Sequence, residues 1–483
     1  MRVNRCVPNS VLRLIVALVV SQLVSGCASY IEMDRKPATA KNIILFIGDG
    51  MGVSTVTAAR IFDGQSKGMS GEEHSLVFEN FPNVALVKTY NTNQQVPDSA
   101  GTASAMMTGE KTRAGVINIA ASSLRRSCEG ALESPLTPFS LIAKQRGKAI
   151  GVVTTARLTH ATPAATYANS PERDWESDRF MTDSVLAQGC NDIASQLIGL
   201  APGKELNVAM GGGRREFYGA GNKGHRQVHN ADLISPWLEA GTNRVYVETA
   251  AQLTTLEQDA TVLGLFSDSH MAYMAERTED STEPTLSDMT SIAIKQLKQS
   301  DEGYFLMVEG GRIDHGHHDA RAGYAMLEAQ EFARAVEAAV SSVDLSETLV
   351  LVTADHSHVF TIAGYPVRGN PILGLVVSND VNGEPLATPP LDQNGVPYTT
   401  LGYINGPNAS FEEERLVPDT GLSAVAQSLY APLSHNIDST ITEDETHAGE
   451  DVAIYATGPG AERVRGVIEQ NLIFDIMSKA FGW

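Results

Sequence analysis

The chain has 483 residues, of which 42% are hydrophobic and 19% are charged, and its formal net charge is -21. This composition is typical of a globular protein with one large α/β domain or two to three smaller ones. The acidic charge is spread along the chain and no basic stripe with interleaved aromatic residues occurs, so we expect no nucleic-acid recognition.

The first 26 residues have the pattern of an export signal. Three arginines precede or flank the apolar run 14–20, which is too short to span a membrane. The run leads into Leu-Val-Ser-Gly-Cys at 23–27, which resembles the cleavage box of bacterial lipoproteins. We therefore predict a signal peptide at 1–26, a lipid on Cys27 and a linker at 27–40. An ordinary signal peptide without lipid is the alternative. Both alternatives place the protein outside the cytoplasm, in the periplasm or at the outer membrane or cell surface.

Five short apolar runs predict buried strands, and they cover 42–47, 148–154, 304–308, 348–353 and 451–456. Helical patterns lie near 179–198, 286–299 and 322–341. This alternation predicts an α/β fold with a doubly wound, largely parallel sheet and helices on both faces. Four of the strands end in, or lead shortly into, polar and glycine-rich corners. In such sheets ligands bind beyond the carboxyl ends of the strands.

The segment 366–435 breaks the alternation, because it is rich in Pro, Gly and Asn and has weak periodicity. We predict that it is an inserted, loop-rich subdomain, with the core formed by 41–365 and completed by 436–483. Outside the leader and its cleavage point, the cysteines are Cys128 and Cys190. Two cysteines in an exported chain suggest one disulfide, although the sequence alone does not show that they are close.

Carboxylates and histidines follow the predicted strands. They are Asp49, Glu309, Asp314 and Asp355, accompanied by His318, His356 and His447. Four carboxylates in one crevice repel one another unless some are protonated or cations neutralise them. Zinc accepts mixtures of carboxylate and imidazole, whereas oxygen-only corners suit magnesium. Singly, such an Asp is often a helix N-cap and such a His a structural hydrogen-bonding group, but their coincidence predicts a metal site.

The segment 97–109 predicts a short helix with Pro97 and Asp98 at its start and Gly109 at its end. Ser99 then lies at a helix N-terminus, where free amides and the positive end of the helix dipole favour phosphate anions. The alternative is that Asp98 or Ser99 only caps the helix.

Five motifs stand in order along the chain. They are Gly-Asp-Gly-Met-Gly at 48–52, Pro-Asp-Ser-Ala at 97–100, Val-Glu-Gly-Gly-Arg-Ile-Asp-His-Gly-His-His at 308–318, Thr-Ala-Asp-His-Ser-His at 353–358 and Glu-Thr-His-Ala-Gly-Glu-Asp-Val at 445–452. Together they resemble the alkaline phosphatase family, most closely its animal-type branch. The resemblance implies hydrolysis of phosphate monoesters to an alcohol and inorganic phosphate through a phosphoserine at Ser99. It also implies two zinc ions, one magnesium ion and a homodimer.

The resemblance implies a ligand set for each metal ion. The ligands of the first zinc ion match Asp314, His318 and His447. Those of the second zinc ion match Asp49, Asp355 and His356, with Ser99 bridging toward it. Those of the magnesium ion match Asp49, Thr162 and Glu309.

The resemblance also implies roles around the phosphate. Arg173 matches the phosphate-binding arginine, whose fork suits two phosphate oxygens. His160 and His315 match variable positions that tune the third metal and the bound phosphate, and Asp98 is expected beside them. Cys128 and Cys190 match a disulfide pair of the family.

One feature of the animal-type enzymes is not predicted. These enzymes carry an additional calcium site, and Ser267 stands at one of its carboxylate positions, while Glu283 matches another. The insert at 366–435 matches the place of the family's crown subdomain, but its sequence matches poorly.

Two other functions are alternatives at this point. The first is a related metallohydrolase or mutase, for example a phosphodiesterase or sulfatase on the same type of sheet. Such enzymes usually have a Thr or a modified Cys as nucleophile and lack the set of Asp49, Thr162 and Glu309. Rates on a nitrophenyl monoester, diester and sulfate separate these enzymes. An inactive lipoprotein used for adhesion or phosphate capture is the second alternative, and absence of zinc from the purified protein would favour it.

Overall fold

The computed structural model describes residues 39–200, 205–227, 232–392, 395, 397–406 and 444–483. The predicted signal peptide, Cys27 and most of the linker lie outside the described residues, as do residues 407–443. Within the described ranges, no helix is both long enough and apolar enough to cross a membrane.

The strands of the described chain are β1 (Asn42–Gly48), β2 (Asn83–Lys88), β3 (Ala149–Arg157), β4 (Val208–Gly212), β5 (Arg244–Val247), β6 (Thr261–Leu265), β7 (Tyr304–Gly310), β8 (Thr348–Ala354), β9 (Ser357–His358), β10 (Phe360–Ile362), β11 (Leu401–Tyr403), β12 (His447–Ala448), β13 (Val452–Thr457) and β14 (Gly466–Glu469). Ten of them form one sheet in the order β14-β2-β13-β8-β1-β7-β3-β4-β6-β5. Neighbouring strands are parallel, except that β13 is antiparallel to both β2 and β8. The predicted α/β fold with a largely parallel sheet is confirmed.

The three central strands are buried along their whole length. Every residue of β1, β7 and β8 is buried, which explains why these strands read in the sequence as continuous apolar runs rather than as alternating patterns. They form the middle of the hydrophobic core.

The α-helices of the described chain are α1 (Val53–Ser66), α2 (Ser99–Thr108), α3 (Cys128–Glu133), α4 (Phe139–Gln145), α5 (Ala161–Ala164), α6 (Asp183–Ala187), α7 (Ile193–Ile198), α8 (Ile234–Glu239), α9 (Ala250–Leu253), α10 (Leu286–Leu297), α11 (Arg312–His318), α12 (Ala322–Ser342) and α13 (Leu472–Ala480).

Helices cover both faces of the sheet. Phe332 of α12 packs edge-on against Phe46 of β1, with ring centroids 5.9 Å apart. Phe139 of α4 packs against Phe305 of β7 at 5.0 Å, and Phe305 is paired with Ile43 of β1. Ile43 and Phe46 are three residues apart in one strand, so they point to opposite faces. The two helices therefore lie on opposite sides.

The helical pattern predicted near 179–198 is interrupted in the structure. Residues 179–198 form α6 and α7 rather than one helix, because Gly189 between them has φ 91° and Cys190 is bonded to Cys128. Asp192 then starts α7 by accepting a hydrogen bond from Ser195 N–H. The helices predicted near 286–299 and 322–341 are present as α10 and α12.

The described part of 366–435 contains one strand, β11, which forms a two-stranded antiparallel sheet with β10. Its first residues dock on α1, where the side chain of Gln65 contacts Asn370 O at 2.8 Å and Ile372 N at 2.9 Å. After residue 444 the chain pairs β12 with β9 and then enters the large sheet as β13.

Candidate active site

The carboxyl ends of β1, β7 and β8 lie side by side. Ile47 of β1 is in register with Glu309 of β7 and with Thr353 of β8. Because the next residues turn out of the sheet together, Asp49 after β1 lies beside Asp355 after β8. The sheet register thus gathers carboxylates that are about 300 residues apart in the chain.

Asp49, Asp355 and His356 form a fully buried group. They offer ligand atoms that lie within 4.8 Å of one another. One oxygen of Asp355 accepts the N–H groups of Gly50 and His356, at 3.0 and 2.9 Å. Both oxygens of Asp49, in contrast, lack a hydrogen-bond partner among the described residues. Burial and the neighbouring negative charges raise the pKa of Asp49 well above its usual range. A cation fits this group because it would satisfy the orphaned oxygens.

Asp314, His318 and His447 form a second group. Asp314 and His318 are four residues apart on α11, so they share a helix face. The Nε2 atoms of His318 and His447 are 3.0 Å apart, and each is 3.4 Å from Asp314 Oδ1. Their Nδ1 atoms contact the carbonyl oxygens of Glu445 and Pro97, at 2.6 and 2.8 Å.

These carbonyl contacts decide the tautomer of both imidazoles. A neutral imidazole that donates Nδ1–H to a carbonyl has its lone pair on Nε2. In His318 and His447 two such lone pairs then face each other beside the Asp314 carboxylate. A divalent cation held by these three residues would remove the repulsion, so this donor set fits zinc.

A third group contains Asp49, His160 and Glu309, whose ligand atoms also lie within 4.8 Å of one another. Oε1 of Glu309 and Oγ1 of Thr162 are buried without a hydrogen-bond partner among the described residues. Burial raises the pKa of Glu309 to about 8, and the charge of Asp355 contributes. The oxygens of Asp49, Glu309 and Thr162 are the ligand type that magnesium prefers.

Ser99 is the first residue of α2. Asp98 caps this helix by accepting Gly101 N–H at 3.1 Å, and Gly109 ends it with φ 78°. The predicted helix bounds are therefore confirmed, and Asp98 rather than Ser99 is the capping residue. Ser99 Oγ lies 3.2 Å from His356 Nε2. The hydroxyl thus sits between a helix N-terminus and the group of Asp49, Asp355 and His356.

Arg173 and Ser99 both line a cavity of about 380 Å³. Its Nη1 donates to Asp98 Oδ2 at 3.0 Å, and its Nη2 lies 3.2 Å from His160 Nε2. The cavity is lined by Ser99, Arg157, His160, Arg173, Asp174, Glu176, Asp314, His315, His318 and His447. It therefore brings the predicted phosphate-side residues together with the second metal-ligand group.

Two residues that contact or lie behind Asp314, namely His358 and Glu445, were not predicted from the sequence. His358 Nε2 lies 2.8 Å from Asp314 Oδ1, and its Nδ1 lies 2.5 Å from Glu445 Oε2. Burial opposes a charge on His358, but the two carboxylates outweigh it and raise its pKa to about 10. Both residues stand inside motifs noted above. Their meeting depends on the pairing of β9 with β12, which local pattern does not reveal.

Arg157 and Glu176, which line the same cavity, were also not predicted from the sequence. Arg157 forms a two-bond pair with Glu176, at 2.7 and 2.5 Å, and also contacts His270. The ring of His270 lies 4.1 Å from that of His315. No motif marks Glu176 or His270, so only the fold shows their position.

The two residues considered for a calcium site have protein partners. Ser267 Oγ donates to Ser269 O at 2.7 Å. Glu283 Oε2 accepts Ala272 N–H at 2.8 Å and lies 3.4 Å from Arg277 Nη2.

Comparison with known proteins agrees with these motifs. The sequence profile of the alkaline phosphatase family matches residues 40–483. The tissue-nonspecific alkaline phosphatase of Gallus gallus is 43% identical over 461 residues, covering 91% of this chain and 84% of that protein. The Homo sapiens isozyme is 42% identical over 462 residues, covering 91% and 83%.

Solved structures show the same fold. The alkaline phosphatase of Thermus thermophilus has a TM-score of 0.66 at 23% identity, covering 92% of this chain and 93% of that one. The enzyme of the Antarctic bacterium TAB5 has a TM-score of 0.63 at 22% identity, covering 92% and 99%. Given a profile match over the whole core and animal relatives at 42–43% identity, the chain belongs to the alkaline phosphatase family.

Proposed function

We propose that the protein is an alkaline phosphatase that hydrolyses phosphate monoesters through a covalent phosphoserine at Ser99. The observation that carries this proposal is the position of Ser99 Oγ, 3.2 Å from His356 Nε2 at the start of α2. Arg173 and two groups of metal-ligating side chains surround the same cavity or adjoin it. The names of the relatives support the activity.

Two zinc ions and one magnesium ion are the proposed cofactors. Asp314, His318 and His447 would hold one zinc ion, Asp49, Asp355 and His356 the other, and Asp49, Thr162 and Glu309 the magnesium ion. When bound, such ions neutralise the carboxylates and act as Lewis acids that lower the pKa of a hydroxyl or a water molecule. The orphaned oxygens of Asp49, Glu309 and Thr162 support this assignment.

The phosphate group would be oriented by Arg173 and by the first amides of α2. A guanidinium fork donates two parallel hydrogen bonds to two phosphate oxygens, and a helix N-terminus favours an anion. Asp98 holds Nη1 of Arg173 at 3.0 Å, so the fork is directed before substrate arrives. His160 and His315 line the same cavity and complete the polar surroundings.

In the first step Ser99 Oγ attacks phosphorus and loses its proton, and a new P–O bond forms. The ester P–O bond breaks, and the leaving oxygen takes up a proton and departs as the alcohol. In the second step water attacks the phosphoserine, releasing inorganic phosphate and restoring the hydroxyl. The transition states of both steps carry charge on phosphate oxygens, which Arg173 stabilises. Among the residues that the structure describes, the side chains lining the cavity are all polar or charged, which supports broad monoester specificity.

Replacement of Ser99 tests the proposal. We expect Ser99→Ala to lower kcat at least about a thousandfold and to abolish the phosphoenzyme. The measurement is acid quenching with labelled phosphate or substrate, followed by detection of protein-bound label. Ser104→Ala is a matched control, because Ser104 lies on the same helix and its hydroxyl donates to Ala100 O. Label trapped on the Ser99→Ala protein would refute the assignment.

Relative rates on nitrophenyl phosphate, bis-nitrophenyl phosphate and nitrophenyl sulfate address the other enzymatic functions. A diester or sulfate rate above the monoester rate would favour a phosphodiesterase or sulfatase. The zinc content of the purified protein tests the alternative of an inactive lipoprotein, which absence of zinc would favour.

We further propose that the mature chain starts at Cys27, is lipid-anchored outside the cytoplasm, in the periplasm or at the outer membrane or cell surface, and forms a homodimer. The leader pattern supports export, and the Cys128–Cys190 disulfide fits an oxidising compartment. The division into a core at 41–365 and 436–483 with an insert at 366–435 belongs to the same proposal.

A further inference from the structure

A buried carboxylate directly before Arg173 in the chain is held by two arginines. The side chain of Glu172 is 1% exposed. It accepts hydrogen bonds from Arg125 at 3.0 and 2.5 Å and from Nε of Arg126 at 2.5 Å. Burial opposes its ionisation, but the two arginines outweigh burial and lower the pKa of Glu172. Glu172 does not line the cavity, and the steps proposed above do not use it.

The two arginines are themselves anchored. They lie just before α3, whose first residue is disulfide-bonded to Cys190. Arg126 has φ 65°, and its backbone N–H donates to Pro171 O at 2.8 Å. Ser127 caps α3. The arginines therefore form a fixed frame against which Glu172 is held.

Gly115 connects this frame to Arg173. A methyl group at Gly115 would lie 2.3 Å from Cζ of Arg125, so the guanidinium rests directly on the glycine. Gly115 O accepts the Arg173 N–H at 2.9 Å, and Gly115 N–H donates to Asp98 Oδ2 at 2.9 Å. The same Asp98 oxygen pairs with the Arg173 guanidinium. Gly115 thus holds the backbone of Arg173 directly and, through Asp98, also holds its guanidinium.

We propose that Glu172, clamped by Arg125 and Arg126, is a positioning residue that fixes the direction of the Arg173 guanidinium toward phosphate. This inference rests on the proposed function, in which Arg173 binds two phosphate oxygens. A guanidinium fork binds bidentately in one orientation only, so a shift of its backbone weakens binding even though no contact to phosphate is removed.

The test measures inorganic phosphate affinity by calorimetry on the metal-loaded enzyme, together with kcat and KM for nitrophenyl phosphate. Glu172→Gln keeps the side-chain size but removes the charge that holds both arginines. We expect the Kd for phosphate and the KM to rise together by about tenfold, with the phosphoenzyme still formed. Glu79→Gln is the matched control, because Glu79 pairs with Arg60 at 2.9 Å outside the cavity, and we expect it to leave the Kd unchanged.

A purely structural role of Glu172 would lower Tm and leave the Kd unchanged, and that result would overturn the proposal. If Glu172→Gln does not fold, Arg126→Gln removes the outer arm, whose side chain is 69% exposed, and should raise the Kd about threefold. An unchanged Kd in this variant also overturns the proposal.

A wild-type enzyme that binds phosphate without hydrolysing the monoester would contradict the proposed function alone, since the Kd comparison still decides on the role of Glu172. Absence of phosphate binding in the wild type would overturn both.

Discussion

The histidines of the site differ in the partners of their ring nitrogens. His318 and His447 donate to backbone carbonyls, which leaves their Nε2 lone pairs turned toward Asp314. His358 lies between two carboxylates, which outweigh burial and raise its pKa to about 10. Neutral imidazoles can bind a metal ion, whereas a protonated one supports the carboxylate that does.

The buried carboxyl group of Glu328, on α12, should make the stability of the protein depend on pH. It is 5% exposed, and its Oε1 accepts Met274 N–H at 2.6 Å. Burial raises the pKa of Glu328 to about 7. Between the ordinary value of about 4.3 and this value the folded state holds a proton that the unfolded chain has lost, so stability falls as the pH rises. Glu328→Gln keeps the acceptor but has no proton to lose. Relative to wild type, its free energy of unfolding should therefore rise by about 2 kcal/mol as the pH goes from 5 to 8.

Urea denaturation at the two pH values measures this difference. Glu337→Gln, on the exposed part of the same helix, is the control for removal of a carboxylate. A Glu328→Gln advantage that is equal at pH 5 and pH 8 would contradict the assignment.

At the scale of elements, α2 needs glycine at its end. Gly109 has φ 78°, and a methyl group there would lie 3.1 Å from the ring of Phe474. Gly68 has the same φ of 78° but open space around it. Both glycine-to-alanine changes strain the backbone by about 1 kcal/mol, and Gly109→Ala should cost about 1 kcal/mol more because Phe474 must move. Thermal or urea unfolding of the two variants measures the difference, and equal losses would show that packing at Phe474 contributes nothing.

The central strands could be predicted from the sequence because each is an apolar run buried on both faces, and the bounds of β1, β7 and β8 differ from the prediction by one or two residues. The strand at 451–456 was also found, but its antiparallel direction was not, since direction depends on neighbours rather than on local pattern. β2 alternates between buried and exposed residues, and β14 lies at the edge of the sheet. Both therefore have weaker apolar signals in the sequence. The helix break at Gly189 was not predicted, because a single glycine within a helical pattern is often tolerated and its positive φ is set by the fold.

The candidate site could be predicted in part for the same reason. Asp49 and Asp355 follow buried strands, so the register of a parallel sheet brings them together. His447 and His358 meet through the short β9–β12 pair, and Glu172 acts through arginines of a distant loop. Such contacts have no periodic signature, because they connect loops.

For the molecule as a whole, metal removal should have a pH-dependent effect on stability. Burial, with neighbouring negative charges, raises the pKa of Asp49 and Asp355, and burial raises that of Glu309 to about 8. Between about pH 4 and pH 8 the metal-free folded protein keeps protons on these carboxylates that the unfolded chain has already lost. Without metal the free energy of unfolding therefore falls as the pH rises through this range. Bound cations cancel this effect. Chelation should therefore abolish phosphatase activity and lower Tm by at least about 5 °C more at pH 9 than at pH 5.5.

Thermal unfolding with and without chelator at both pH values measures this effect, and re-addition of zinc and magnesium is the control for reversibility. A chelator-induced change in Tm that is the same at both pH values, or larger at pH 5.5, would contradict the role of the buried carboxylates.

The candidate ligands begin at Asp49, directly after the first strand of the sheet, and end at His447, shortly before the last elements of the chain. Protein synthesis proceeds from the N-terminus, so a growing polypeptide exposes the first carboxylates long before the last imidazole exists. The group of Asp314, His318 and His447 is complete only when β12 has paired with β9, because His447 lies in β12. This ligand group therefore cannot form until nearly the whole chain has been synthesised.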